Sequence, residues 1–172
     1  MGYGSSGNYF GIGGDATLSG PARTLRVGDN SGARNSFRVY GGAQAALSTV
    51  LIGGGLKPWR NAFIAGGGGV VNASVTLADN HALGAALEAG GEDNPTIVNG
   101  SVSIGEGCVV DPKLAADAPP GVYAVLRAAS IENWERLALS PEALADGRFS
   151  LRVDATSVRV VYSQSATLLL VK

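Results

Sequence analysis

The segment NSFRVYGGAQA at residues 35–45 decides the fold, because two other parts of the chain carry nearly the same text. NYFGIGGDA occupies 8–16 and NAFIAGGGG occupies 61–69. In each copy an asparagine is followed two positions later by phenylalanine and then by a glycine pair, with a spacing of about 26 residues, a length typical of solenoid repeats. The chain therefore reads as a stack of similar turns.

Two sets of apolar residues recur in phase along the repeat. The first is predicted to contain Phe10, Phe37 and Phe63 and to continue at Leu87, which also precedes a glycine pair. The second contains Val27, Ile52, Leu77 and Ile104. One turn of a solenoid cannot bury its own inward face, so each set is predicted to form an internal column. The segments 28–34, 53–60 and 78–84 vary in composition and are predicted to be loops.

Short strands are indicated within each repeat. TLRVG at 24–28 and SFRVY at 36–40 alternate apolar residues with Arg26 and Arg38, which places the arginines outside. Strands of this length with glycine corners predict an all-β, right-handed parallel β-helix formed by one chain. Three asparagines are predicted to form a hydrogen-bonded ladder at one corner, with Asn61 more buried than a typical loop asparagine: Asn8, Asn35 and Asn61.

The 172 residues fit one domain, 1–172. Repeat coils are predicted over 1–110, and terminal coils with a cap over 111–172. The text SPEALADG predicts a short helix in that cap, with Ser140 as N-cap, Pro141 at the first helical position and Gly147 as the stop.

Composition excludes several classes of partner. A net charge of −1 gives no footprint for nucleic acid, and no apolar run is long enough for a membrane helix. We expect no cofactor. The start Met1-Gly2-Tyr3-Gly4 does not resemble a signal peptide. The repeat is already under way within the first ten residues, which suggests a piece of a longer chain. Cys108 is the single cysteine and is predicted to be a small buried hydrophobe.

Polar residues suggest few reactive sites. Asp79 and Glu106 lie one coil apart and are weak candidates for a calcium site, although a solvated acidic surface is favoured, because calcium needs six or more oxygens. Glu88, Glu92 and Asp93 surround a glycine turn, where catalytic carboxylates would lack rigid support. No catalytic residue is therefore assigned.

Three residues on the variable loops form a predicted contact surface. Trp59 can stack on a sugar or a partner, or simply cover a corner, and Arg60 lies beside it. His81 is assigned to the same surface, since it has no partner at metal-ligand spacing and its local sequence reads as a loop.

The repeated text LRVGDNSGARNSFRVYGGAQA resembles the degenerate units of bacterial autotransporter-type passenger regions. The closing PPGVYAVLRAASIENWERLALSP is similar to the ends of such passengers. The resemblance implies a secreted or surface-exposed β-helix with a structural or adhesive role and a host or matrix glycan or protein as partner. Two alternatives stay open: a carbohydrate-active β-helix enzyme or depolymerase fragment, and a protein that self-assembles through open coil ends.

Overall fold

The computed structural model describes residues 7–28, 34–54 and 60–164, and most of these residues lie in β-strands. One set of strands is short: β1 (Tyr9–Ile12), β3 (Ser36–Val39), β5 (Ala62–Ala65), β7 (Ala82–Leu87), β9 (Val109–Leu114) and β11 (Ala138–Leu139). The other set is mostly longer: β2 (Thr17–Val27), β4 (Gln44–Ile52), β6 (Val70–Leu77), β8 (Thr96–Ile104), β10 (Gly121–Glu132), β12 (Phe149–Val153) and β13 (Ser157–Tyr162). A 3₁₀ turn (Trp134–Arg136) and the helix α1 (Pro141–Asp146) complete the described elements.

These strands form two sheets, and each sheet runs along the solenoid axis with one strand from each successive turn. The first sheet has the order β1-β3-β5-β7-β9-β11, and every pair in it is parallel. In the second sheet, β2, β4, β6, β8 and β10 are also parallel neighbours. The predicted fold class is confirmed: the chain is a parallel β-solenoid of four regular turns, β1–β2 to β7–β8, with further strands and a cap.

The second apolar column follows its prediction. Val27 pairs with Ile52, Ile52 with Leu77, and Leu77 with Ile104. All four side chains are buried in the central core. Their position at the last residue of each long strand marks the same corner of every turn.

The phenylalanine column is also present, with a corrected continuation. The ring centroids of Phe10 and Phe37 lie 5.7 Å apart, and those of Phe37 and Phe63 lie 6.1 Å apart. The next member is Leu83, which pairs with Phe63, so the prediction of Leu87 was wrong. The glycine pair misled the alignment because β7 has six residues where β5 has four, which delays the following turn.

Corners after the second column differ in length. Residues 28–35 and 53–61 separate the strands in the first two turns, whereas only 78–81 and 105–108 do so in the next two. The predicted loop at 78–84 is therefore too long, since residues 82–84 belong to β7. The number of residues in a corner therefore changes from turn to turn, while the parallel pairing between strands of neighbouring turns is kept.

The chain ends its parallel stack with an antiparallel cap. Strand β13 pairs antiparallel with both β10 and β12. The predicted helix is confirmed: Ser140 Oγ accepts a hydrogen bond from Ala143 N, and Gly147 ends the helix with a φ of 72°. The segment TLLLV at 167–171, whose continuous apolar character predicts a strand, lies outside the described residues.

Candidate contact surface

A polar ladder lines one corner of the solenoid. The backbone and side-chain nitrogens of Asn8 donate to Asn35 Oδ1 at 3.0 and 2.7 Å. The same two groups of Asn35 donate to Asn61 Oδ1 at 2.9 and 3.2 Å. Asn61 is only 1% exposed, as its place in the repeat predicts. Each side chain thus satisfies a backbone N–H that the stacked corner removes from water.

His81 forms the next rung of this ladder. Asn61 N donates to His81 Nδ1 at 3.2 Å, so Nδ1 is an unprotonated acceptor in this arrangement. The assignment of His81 to a contact surface was wrong, because the residue is 2% exposed. Imidazole takes the asparagine position since its ring nitrogen supplies the same acceptor to the preceding turn.

Cys108 occupies the equivalent position one turn further on. It precedes Val109, which pairs with Ala82, and its side chain is buried as predicted. The thiol donates to the carbonyl oxygen of Ala78 at 3.1 Å. Burial raises the pKa of the Cys108 thiol, against an opposing backbone hydrogen bond from His81. These contacts describe a packed structural cysteine rather than a reactive one.

Two glycines make room for the ladder side chains. A Cβ on Gly28 would lie 2.2 Å from the Asn61 amide carbon, and one on Gly53 would lie 1.7 Å from His81 Nε2. Both glycines also have positive φ, 72° and 86°. A side chain at either position would therefore meet both a steric clash and a strained backbone.

The acidic pair proposed for metal binding has a structural role in a tight corner. Asp79 Oδ1 accepts a hydrogen bond from Glu106 N at 2.8 Å, and Asn80 N donates to Glu106 O at 2.7 Å. Within residues 7–28, 34–54 and 60–164, no group of three or more His, Cys, Asp or Glu side chains could hold a metal ion. The Asp79 carboxylate instead joins two successive turns.

Arg38 crosses the outer face of the first sheet. Its Nη2 lies 2.8 Å from Glu88 Oε1, and the guanidinium lies 4.8 Å from the ring centre of Tyr40. Arg38 lies on the outer face as the alternation predicts, but its side chain is only 14% exposed because these contacts cover it, so it does not extend into solvent. Glu88, considered as a catalytic acid, is held by this ion pair.

Arg60 lies at the rim of a groove on the outer face of the first sheet, whereas Trp59 lies outside the described residues. The groove, here called the outer groove, encloses about 420 Å³. Its floor includes Ala62 and Ala82, and all six residues of β7 are buried. Because the outward positions of β7 are Ala82, Gly84 and Ala86, this strand leaves a depression between its larger neighbours.

Charged side chains surround the outer groove. Arg60 Nη1 lies 3.0 Å from Glu142 Oε2, which joins the third turn to the cap helix. Lys113 Nζ lies 2.6 Å from Asp111 Oδ2. The Glu142 pKa is lowered by a hydrogen bond from its own backbone N–H and by Arg60. Among the described residues Arg34 forms no salt bridge, so it contributes an uncompensated positive charge.

The outer groove was missed from the sequence, although a signal for it exists. Arg34 and Arg60 both stand immediately before a ladder asparagine, in the texts ARNSF and WRNAF. Their equivalence in the repeat places them one turn apart on the same corner. Glu142 and Lys113 could not be added by repeat alignment, because they come from the cap and from β9.

Comparison with known proteins adds no relative: no family model matches the chain, and no curated protein or solved structure shows significant similarity. In the part of the chain that the structure describes, no helix has the length and apolar character to span a membrane. The fold and the outer groove are therefore the features from which a function has to be inferred.

Proposed function

We propose that the chain is a non-catalytic structural or adhesive segment of an extracellular bacterial surface protein. The observation that carries this proposal is the continuity of the internal columns. Phe10, Phe37, Phe63 and Leu83 follow one another without interruption, and the ladder at Asn8, Asn35, Asn61 and His81 runs beside them. Such columns favour a rigid support.

The columns give the proposed role a physical basis. Backbone hydrogen bonds between parallel strands run along the solenoid axis, so every turn is tied to the next by many bonds acting together. Apolar side chains fill the interior, while the outer groove faces outward. This division suits a rod that holds variable surfaces at a fixed spacing.

Surface exposure is the test of this proposal. Antibodies raised against the purified chain should label intact cells that carry the gene, and external protease should remove that label without lysis. A cytoplasmic enzyme, labelled in parallel, should stain only permeabilised cells. Label that requires permeabilisation would contradict an extracellular role.

A second candidate is self-association at the amino-terminal end of the solenoid. Strands β1 and β2 are the edge strands there, and an apolar opening of about 400 Å³ is lined by Phe10, Leu18, Leu25 and Leu47. In the following turns, residues paired with these positions are covered by the next coil, as Val50 is beside Leu25. The same end of a second copy would present the same apolar opening and the same unpaired strand edges, so the contact would be isologous.

The oligomeric state tests the second candidate. Light scattering during gel filtration should show a dimer for the unchanged protein and a monomer for Leu18→Lys. The matched control is Leu144→Lys, since Leu144 is 62% exposed on the cap helix at the other end. A monomeric unchanged protein, or equal dimerisation of the two variants, would overturn this assembly.

A further inference from the structure

The residue before a ladder rung has a left-handed backbone conformation at four rungs, whereas Arg60, which precedes Asn61, does not. Gly7, Asn80 and Gly107 precede rungs of the ladder and have φ values of 73°, 62° and 67°. Glycine and asparagine are the residues that tolerate this left-handed region best. Arg34 occupies the same position before Asn35 with a φ of 54°.

Arginine at position 34 therefore carries a conformational cost that the equivalent residues in other turns avoid. Residues held in sparsely populated backbone regions are strained, and they concentrate at functional positions. Arg34 is exposed, lines the outer groove and forms no ion pair with a described residue. Its guanidinium is consequently available to an external anion.

We propose that the outer groove binds a short acidic saccharide, with Arg34 pairing with a sugar carboxylate. The volume of about 420 Å³ falls in the range of small-ligand sites, ~300–1,000 Å³. Arg34 offers a fork of N–H donors that matches a carboxylate in geometry. Lys113 and Arg60 lie on the same rim, where Asp111 and Glu142 balance their charges and Arg34 supplies the net positive charge.

The floor and the polar rim of the outer groove match the ring face and the hydroxyl groups of a sugar. The alanine floor at Ala62 and Ala82 gives a shallow apolar surface for the C–H face of a ring. Ser36, Asp111 and Glu142 supply oxygen acceptors, while the basic side chains supply donors. Sugar hydroxyl groups both donate and accept, so they fit a rim on which the two functions are interspersed.

An extended peptide fits this groove less well. Peptides that add to a sheet use the free backbone groups of an edge strand. Strands β3, β5, β7 and β9 are each paired on both sides, so their backbone groups are already used. The outer groove therefore offers side chains only, which favours a ligand recognised through hydroxyl and carboxylate groups.

Glu142 sets the strength of this site. Its carboxylate forms an ion pair with the Arg60 guanidinium at 3.0 Å and would compete with an anionic ligand for that group. Removing the Glu142 charge should release Arg60 and add a second cation to the site. This inference names a ligand for the adhesive role proposed above and rests on that role.

Binding is measured by isothermal titration calorimetry with a trimer of galacturonic acid, and with the neutral galactose trimer as the matched sugar. The acidic trimer should bind, with an affinity that falls as salt is added, and the neutral trimer should bind at least tenfold more weakly. A hexamer of glutamate provides the peptide comparison. Equal binding of this peptide would overturn the saccharide assignment.

Variants separate binding from folding. Arg34→Asn should lower the affinity for the acidic trimer about tenfold, because one charge-assisted contact is lost. The variant should melt at the same or a higher temperature, because asparagine tolerates the left-handed backbone at this position. Glu142→Gln should strengthen binding. Arg152→Gln removes an exposed arginine of β12 in the second sheet and should change nothing.

Three results would overturn the proposal: no binding of the acidic trimer, equal effects of Arg34→Asn and Arg152→Gln, or weaker binding in Glu142→Gln. Cell-surface labelling is independent of these titrations. Surface label without saccharide binding would remove the ligand and leave the structural role, whereas binding without surface label would remove the extracellular role.

Discussion

The phenylalanine column and the neighbouring polar ladder differ in the changes of residue type that they tolerate. The apolar column runs through Phe10, Phe37, Phe63, Leu83, Val110 and Leu139. The polar column occupies the corner just before it and runs through Asn8, Asn35, Asn61, His81, Cys108 and Leu137. The apolar column loses aromatic rings toward the carboxyl end, and the polar column loses hydrogen-bonding capacity in the same direction.

The comparison shows two kinds of constraint in one stack. An apolar position needs volume and burial, which phenylalanine, leucine and valine can all supply. A ladder position needs an acceptor aimed at the backbone N–H of the preceding turn, and asparagine and histidine achieve this with different side chains. From Asn35 to His81 the residue type changes while the acceptor is preserved, and only at Leu137, beside the cap, does the column lack one.

The largest effect is expected when the apolar column is emptied. Phe37 lies between two aromatic rings and is fully buried, so Phe37→Ala should lower the free energy of unfolding by about 4 kcal/mol. Phe37→Leu, which copies the residue at position 83, should cost about 1 kcal/mol. Urea denaturation followed by circular dichroism measures both. Equal losses would show that this column requires aromatic rings.

The next largest effect is expected when the space that Gly53 leaves for the His81 ring is filled. Gly53→Ala would place a methyl group against the His81 ring and strain a backbone with a φ of 86°, at a cost of about 3 kcal/mol. Gly90→Ala is the control, because Gly90 has a φ of 73° but no atom within 4 Å of an added Cβ. Gly90→Ala should lower the free energy of unfolding by about 1 kcal/mol. If the denaturation midpoints of the two variants coincide, the His81 contact contributes nothing.

A third experiment removes the acceptor from the ladder. Asn61→Leu keeps the volume but leaves the buried backbone N–H of Asn35 unpaired, which should cost about 2 kcal/mol. His81→Asn restores the residue type of the earlier rungs and should cost less than 1 kcal/mol. Thermal unfolding at neutral pH compares the two. A larger loss for His81→Asn would mean that the imidazole ring is needed for more than its acceptor.

The smallest effect lies outside both columns, in the turn between β12 and β13. Asp154 accepts hydrogen bonds from the side chains and backbones of Ser157 and Thr156, which lower its pKa from 3.8 to about 2. A lowered pKa stabilises the folded state above about pH 4, and that contribution is lost as the pH falls toward 2.

Asp154→Ala should therefore lower the melting temperature by about 3 °C at pH 7, equivalent to ~1 kcal/mol for a chain of this size. The difference from the unchanged protein should shrink between pH 4 and pH 2. Melting curves across that range test the sign. A difference that stays constant with pH would show that the carboxylate charge has no part in the turn.

Much of the fold could be predicted from the repeat because stacking forces equivalent residues into contact. The second column at Val27, Ile52, Leu77 and Ile104 was found in its correct register for this reason. The fourth member of the aromatic column was missed because a longer β7 moved the glycine signal away from the residue that stacks.

The candidate site was harder to predict, since it joins parts of the chain that follow different rules. Arg60 belongs to the repeat, but its partner Glu142 belongs to the cap, and no periodicity relates them. His81 was assigned to the surface because its neighbours read as a loop. Burial of a polar side chain depends on the turn above it, which a local pattern does not describe.

The unequal corners have a consequence for the evolution and engineering of this protein. Paired residues are 27 positions apart from Tyr9 to Ser36 but only 20 apart from Ala62 to Ala82, and the strands stay in register in both cases. Closing a loop that is a few residues longer adds only tenths of a kcal/mol. The corner between Gly54 and Arg60 is thus a natural graft point, where an epitope or a second binding sequence can be inserted while the core sequence stays unchanged.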